Sequence, residues 1–485
     1  MDSNTWHVSE REDDWEAPPC GGPLFATVVL PGSKSQTSRA LVIGTIAKNP
    51  MVVTGALASR DTLLASRAMR AFGTDFTFAP DRNEMTIIPP AELHAGGTID
   101  CGLAGTVMRF GPAIAAFANG TTTFVGDPAA EKRPLGPLMD ALSSLGAKVD
   151  YQQKAGHLPL SVRGTATRPS SVFRQLGSDY WEPERPTEIT IDTTASSQFL
   201  SALLLASPLI PQPTVLRVEG RLPSWPYVAM SLDMLANQGV NVRRTSSNTW
   251  VTDPTRPEGN PISIEPDLSN AGPFLAAALL CGGSVTIRDW PAQTDQVGKY
   301  WLEILPKFGA TVALSVNGLV VHAPQGLTWP GQELDLGACG ELAPTIAALC
   351  LFATSPSTLL GIGHLRGHET DRLEALATEI KRLGGGARVL RDGIQIIPAP
   401  LHPTRIESYD DHRMATFGAV VGLRVQGCTV ENIGTTAKTL PLFPQRWMAM
   451  LDRSKSPEPL WPSQLSAASY PEAVLEPETL DPEEG

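Results

Sequence analysis

The chain repeats itself. Five times the tail of an apolar-periodic helix runs into a glycine and then into the start of a short strand: Ala68–Phe76 around Gly73, Leu142–Val149 around Gly146, Met234–Val242 around Gly239, Leu305–Val312 around Gly309 and Ile380–Val389 around Gly384. A glycine just past a helix end adopts the left-handed cap conformation at little steric cost. Ala- and Leu-rich helices precede each cap, and Thr-, Val- and Ile-containing strands follow it. A spacing of roughly 70–90 residues is too long for a solenoid repeat. The pattern therefore predicts an α/β protein built from repeated units, grouped into two similar lobes. A length of 485 residues also exceeds what one core normally serves.

The two ends depart from this rhythm. Residues 1–20 are polar and acidic and are expected to be mobile. Residues 454–485 are rich in Pro, Glu and Ser and are expected to be disordered, for want of apolar surface to bury. Thr165–Pro186 lacks periodicity and reads as a surface loop or insertion. A net charge of -12 argues against nucleic acid as the main partner, but not against a local basic pocket. The six cysteines are scattered without a C-x-x-C pair, so neither a disulfide frame nor a zinc site is expected. The N-terminus is unlike a signal peptide, and the apolar run near Phe274–Cys281 is too short to span a bilayer. These features predict a soluble, cytoplasmic chain.

The chemistry lies where dense polar stretches interrupt the apolar pattern. Pro31–Arg39 follows an apolar strand-like run and opens a helix, placing Ser35, Lys34 and Arg39 at its start. Free N–H donors, a partial positive charge and two cations there suit a multiply charged anion. The pattern is not the ATP-type phosphate loop. Asp100–Arg109 offers Gly105 and Thr106 at another helix start, and Arg133 precedes a proline-opened helix. Ser196, Ser197 and Gln198 open an Ala/Leu helix, and Ser224 and Tyr227 lie in a turn.

Arg366–Arg372 packs five ionisable side chains into seven residues, where helical spacing makes Glu369 and His368 neighbours of Arg372. Tyr409–Ala415 brings His412 and Arg413 to a helix entry, and Thr435–Pro441 offers Lys438. A histidine–carboxylate metal site is conceivable, but the excess of Arg and Lys points to anions instead, with no metal or cofactor. If these loops share one cleft, Lys34, Arg39, Arg133, Arg372, Arg413 and Lys438 suffice for two anionic ligands. Glu341, Glu369 and His368 are then the acid/base candidates.

Taken in order, the segments Pro31–Ala40, Leu103–Arg109, Lys132–Pro134, Ser196–Leu205, Ser224–Tyr227, Arg366–Arg372, Asp410–Ala415 and Lys438–Pro441 resemble the enolpyruvyl transferase family over residues 24–452. The form Arg366–Arg372 resembles its actinobacterial members. The resemblance implies two lobes, each of three βαβαββ repeats arranged as an inside-out α/β barrel. One lobe would span 33–264, and the other 21–32 plus 265–453. It also implies lobe closure, a monomer, and transfer of the enolpyruvyl group of phosphoenolpyruvate to the 5-hydroxyl of shikimate 3-phosphate through a tetrahedral adduct.

Carried over by position, Ser35, Arg39, Ser196, Ser197, Gln198, Ser224 and Tyr227 would contact shikimate 3-phosphate. Lys34, Gly105, Arg133, Arg372, Arg413 and Lys438 would contact phosphoenolpyruvate. Glu341 would take the hydroxyl proton and Glu369 would protonate the methylene, with His412 beside them. The alternatives are a relative acting on UDP-N-acetylglucosamine, or a non-catalytic homologue. Glu341, His368, Leu103 and Ser38 stand where the family usually has Asp, Lys, Asn and Asn. A histidine at 368 is expected to titrate near neutrality.

Overall fold

The computed structural model describes residues 14–79, 84–165, 173–175, 181–183 and 186–452. Among these residues, five four-stranded sheets share one plan. In the plainest example Gly97–Asp100 runs parallel to Thr121–Val125, while Leu160–Arg163 is antiparallel to that strand and to the outer Lys148–Tyr151. Helices Gly105–Ala115 and Gly136–Ser144 make the connections. This is the βαβαββ unit, and each of its second helices ends at one of the five marking glycines. Their φ values are 99° at Gly73, 94° at Gly146, 74° at Gly239, 85° at Gly309 and 98° at Gly384, all left-handed as the sequence predicts.

Two units borrow their first strand from far along the chain. Leu24–Val28 pairs in parallel with Gly283–Ile287, and Ile262–Ser263 pairs in parallel with Met51–Thr54. The chain therefore passes twice between two hydrophobic cores. One core gathers residues from Ala40 to Ile264; the other gathers Ala17 to Leu30 and Leu268 to Met450. A sixth unit is shorter. Arg405–Ile406 and Thr429–Val430 pair in parallel, and Trp15–Glu16 lies antiparallel to the latter. Its second helix, Phe443–Leu451, closes the described chain, which is why no sixth marking glycine appears.

Within each core three helices lie inside and the sheets outside. Helices Lys34–Thr45, Gly105–Ala115 and Gln198–Ala206 pack on one another in one lobe; Gly272–Cys281, Ala343–Cys350 and His412–Gly422 do so in the other. The last three are buried along their whole length. Strands such as Leu24–Val28 alternate buried and exposed residues, giving each sheet one face for the core and one for water.

The structure corrects two expectations. Mobility does not extend to residue 20: Ala17 N–H bonds to the Cys428 carbonyl, Arg405 pairs with Asp14 at 2.7 Å, and the Trp15 ring meets Phe443. The absence of a disulfide does not hold either, since Cys20 is joined to Cys281 with Cα atoms 5.8 Å apart. The parallel pairing of 24–28 with 283–287 brings together residues 261 apart in sequence, which spacing cannot reveal. Phe173–Gln175 and Trp181–Pro183 form a hairpin within the expected loop. The remainder of that loop, residues 1–13 and the acidic tail lie outside the described residues.

Candidate active site

All six inner helices bring their first residues, or the turns that lead into them, to one cleft. Its walls include Lys34 and Ser35, Gly105 and Thr106, Ser196 and Gln198, Asp267 and Ser269, Glu341, and His412 and Arg413. Helix starts gathered at one place concentrate their partial positive charge there. Local sequence supplies the starts themselves. Ser33 caps the first helix by accepting from the Gln36 N–H, and Asp411 caps the last by accepting from the Arg413 N–H at 2.8 Å.

The two walls differ in charge. On the first-lobe side stand Lys34, Arg39, Arg109 and Arg133. Among the described residues only Lys34 has a carboxylate partner, Asp61 at 3.2 Å. Arg39 spends its donors on Ser231 Oγ (2.8 Å), the Ser35 carbonyl (2.9 Å) and the Tyr227 carbonyl (2.8 Å). Burial pushes its pKa down to about 10. Arg109 donates to the Gly105 carbonyl at 3.2 Å, and Arg133 to the Leu103 carbonyl at 3.3 Å. The Nε atoms of both are buried without a partner in the described structure. Buried cations facing one carboxylate leave this wall strongly positive, and unpaired buried charge is costly unless a ligand completes it.

The second-lobe wall is balanced and carries the carboxylates. Arg372 is buried and holds three of them: Asp411 (Nε–Oδ2 2.7 Å), Glu369 (3.0 Å) and Glu341 (3.2 Å). Its Nη1 also lies 3.2 Å from His368 Nδ1. Arg413 stands 3.4 Å from Glu341 and donates to the Ser269 carbonyl and hydroxyl at 2.7 and 2.8 Å. Lys438 contacts Glu369. Glu369 and His368 reach Arg372 as their spacing predicts, although they precede the helix. Gly363–Gly367 is a 3-10 turn, His368 is extended, and Asp371 caps the helix Arg372–Arg382.

Protonation follows from these neighbours. Burial alone would raise Glu341, but Arg372, His368 and Arg413 outweigh it and hold the carboxyl well below its usual range. Lys438, Arg372 and Arg133 do the same for Glu369. Burial would lower Lys34, yet Asp61, Glu369 and Glu341 raise it. Burial, then Glu341, raises the Tyr227 hydroxyl. Burial, then Arg372, pushes His368 down to about 3, so the expected titration near neutrality is not found in the free site. His412 and His364 are also lowered, chiefly by burial.

Folded histidines with lowered pKa resist protons that the unfolded chain accepts below pH 6.5, so stability falls as pH drops through that value. Each contributes up to about 1.4 kcal/mol per pH unit there. The apparent melting temperature of the ligand-free protein is therefore expected to fall between pH 6.5 and 5, before the carboxylates titrate. A flat profile in differential scanning calorimetry across that window would contradict these assignments.

Of the sequence-predicted residues, Lys34, Ser35, Arg39, Gly105, Thr106, Arg133, Ser196, Gln198, Tyr227, Glu341, His368, Glu369, His412 and Arg413 line the cleft itself. Arg372 and Lys438 stand behind the wall, gripping its carboxylates. Ser197 is buried at the helix start, and Ser224, left-handed at φ 50°, sits one layer out with its hydroxyl 3.5 Å from His364 Nε2. Sequence reasoning missed Asp61, Arg109, Asp267 and Ser269. Asp267 ties the walls together: it accepts from the Lys34 N–H at 3.2 Å and from the Ser269 hydroxyl, which Arg413 grips. Arg109 belongs to the quoted Leu103–Arg109 stretch, where its position on the inner helix face was the available signal.

The chain is similar to known proteins along most of its length. The sequence matches the EPSP synthase (3-phosphoshikimate 1-carboxyvinyltransferase) family over residues 20–447. A protein of that name from Kocuria rhizophila is 46% identical over 455 residues, covering 92% of this chain and 98% of that protein. One from Bifidobacterium longum is 41% identical over 450 residues, covering 90% and 98%. Among solved structures, EPSP synthase from Acinetobacter baumannii superposes with a TM-score of 0.69 at 24% identity, covering 89% of this chain and 97% of that one. The enolpyruvyl transferase NikO from Streptomyces tendae gives 0.66 at 17% identity, covering 91% and 98%, and so shares the fold. With a family match across nearly the whole described chain and two relatives at 46% and 41% identity, this chain belongs to the EPSP synthase family.

Proposed function

We propose that this enzyme transfers the enolpyruvyl group of phosphoenolpyruvate to the 5-hydroxyl of shikimate 3-phosphate, releasing phosphate. The observation that carries this reading is the pairing of an under-neutralised cationic wall with two ionised carboxylates across one cleft. Such a wall suits two ligands that each bear phosphate and carboxylate. In this reading Ser35, Arg39, Ser196, Ser197, Gln198, Ser224, Tyr227 and His368 take shikimate 3-phosphate. Lys34, Gly105, Thr106, Arg133, Arg372, Arg413 and Lys438 take phosphoenolpyruvate. The lobes, 33–264 and 21–32 plus 265–453, close over both and exclude water. Every group named comes from one chain, so a monomer suffices. Phosphorylated biosynthetic substrates suit a cytoplasmic enzyme, and no described helix is long and apolar enough to cross a membrane.

The chemistry is addition followed by elimination. A proton reaches the methylene carbon of phosphoenolpyruvate, the 5-oxygen attacks the adjacent carbon, and the hydroxyl proton passes to Glu341. The adduct then loses a methyl proton as its carbon–oxygen bond to phosphate breaks, which regenerates the double bond and frees phosphate. Glu369 is ionised in the free site because Lys438 and Arg372 hold it. Phosphoenolpyruvate competes for those cations, which raises Glu369 toward the protonated form a donor needs. Lys34 stabilises charge between the two ligands.

Gly105 marks the phosphoenolpyruvate side. A Cβ there would meet Arg133 Nη2 at 3.0 Å and Arg109 Nη1 at 3.1 Å, both ends of movable side chains. Gly105→Ala is expected to fold normally and to raise KM for phosphoenolpyruvate about tenfold, a loss of about 1.4 kcal/mol. KM for shikimate 3-phosphate should change little; an equal rise in both would misplace the residue. The function itself is tested by phosphate release from phosphoenolpyruvate. Release is expected with shikimate 3-phosphate and not with UDP-N-acetylglucosamine, and release with neither would refute the enzyme reading.

A further inference from the structure

Outside the residues that line the cleft, the two lobes touch through Arg221 and Asp392, which the proposed chemistry does not use. Arg221 leaves the first lobe just after strand Thr214–Glu219, its carbonyl held by the Thr193 hydroxyl at 3.1 Å. Its guanidinium crosses to the second lobe, where Nη1 donates to Asp392 Oδ2 at 3.0 Å and Nη2 to the Gly361 carbonyl at 3.4 Å. The receiving socket is built without side-chain bulk: a Cβ on Gly337 would stand 2.8 Å from Arg221 Nη2. The other oxygen of Asp392 accepts the Gly363 N–H at 2.8 Å.

That N–H opens the turn Gly363–Gly367, which carries His364 and leads directly into His368 and Glu369. His364 Nε2 returns across the seam to Ser224 Oγ at 3.5 Å, and the Ser224 N–H donates to the Gly337 carbonyl at 3.3 Å. Ser224 is held left-handed, a conformation that is costly for a non-glycine residue and persists only where its surroundings fix it. Arg221 to Ser224 thus docks as a short block onto three turns of the opposite lobe.

The Arg221 and Asp392 side chains are half-exposed, at 50% and 47%. An ion pair so exposed contributes little to holding a fold together. Because its partners sit on different lobes, however, its free energy counts only when the lobes are together, and it shifts the open–closed balance by that amount. We propose that Arg221 and Asp392 are positioning residues that latch the lobes closed over the shikimate-side pocket. The Gly363 N–H transmits the latch to the turn bearing His364 and His368. The latch rests on the function proposed above.

Arg221→Ala and Asp392→Asn test it; the asparagine keeps an oxygen for the Gly363 N–H and removes the charge. Each is expected to raise KM for shikimate 3-phosphate about two- to fivefold at low salt, with kcat and melting temperature close to the parent. The rise should shrink in high salt, since the pair is exposed. The double variant should be no worse than either single one. In small-angle scattering the shikimate 3-phosphate concentration for half-maximal compaction should move by the same factor. Unchanged KM, an additive double variant or an unmoved compaction midpoint would overturn the latch alone. A parent protein inactive with both substrates would overturn the latch and the proposed function together.

Discussion

Replacing Glu369 by Gln is expected to lower kcat at least about a hundredfold while leaving the fold intact, in the range for loss of a positioned proton donor. The amide has the same shape and can still accept from Arg372 Nη2, now 3.0 Å from the carboxylate. It cannot deliver a proton to a methylene carbon. It also leaves Lys438, which contacts only Glu369 among the described ion pairs, without its counter-charge. KM for phosphoenolpyruvate should therefore fall or stay level as kcat collapses, because a freed cation favours the anionic ligand. Steady-state phosphate release over both substrate concentrations reads the two parameters separately. A variant within tenfold of the parent kcat would remove Glu369 from the proton-transfer step.

Arg372→Met should fail for a different reason. One buried guanidinium neutralises Asp411, Glu369 and Glu341 at once. Asp411 is fully buried and also caps the helix that presents His412 and Arg413. Removing the shared cation strands Asp411 and leaves Glu369 and Glu341 with Lys438 and Arg413 alone, a change of about 3–5 kcal/mol for a broken buried pair. That corresponds to a drop in melting temperature on the order of 10 °C for the lobe concerned. Turnover should be lost as well. The sign of the pH dependence identifies the cause. Without Arg372 the buried carboxylates lose a cation that favours their ionised form, so acidification costs the variant less than it costs the parent. Relative to the parent, the variant should then regain stability as pH falls toward 5. A variant that loses further ground on acidification would show that the arginine acts through packing.

How much of this was legible beforehand depended on how local each feature is. The five glycine caps are set by their own neighbours, and all five are left-handed where the sequence placed them. The helix-start clusters were likewise legible, since Lys34–Ser35, Gly105–Thr106 and His412–Arg413 are adjacent polar residues that line the cleft. Pairing across distance was not. Nothing near Leu24–Val28 announces Gly283–Ile287 as its partner, and the Cys20–Cys281 disulfide follows from that pairing. Trp15–Glu16 looked like part of a polar tail because its role, completing the shortened sixth sheet, depends on Thr429–Val430.

The site shows the same division. His368 was legible as a site residue, but its charge was not. Burial and the Arg372 guanidinium 3.2 Å away decide that, and neither is written in the local sequence. Arg109 and Asp61 escaped notice because a lone arginine or aspartate in a helix reads as surface until its burial is known. Here both are buried, at 2% and 1% exposure.

The proposed reaction in this cleft joins phosphoenolpyruvate to shikimate 3-phosphate by addition and elimination. Its most direct test is the reaction run in deuterated water, with the products analysed by mass spectrometry and the released phosphate measured alongside. One phosphate per enol ether of shikimate 3-phosphate is expected, with deuterium in the methylene of the product, because that carbon passes through a methyl group. Phosphate released with shikimate 3-phosphate recovered unchanged, or an enol ether with no deuterium at the methylene, would contradict it.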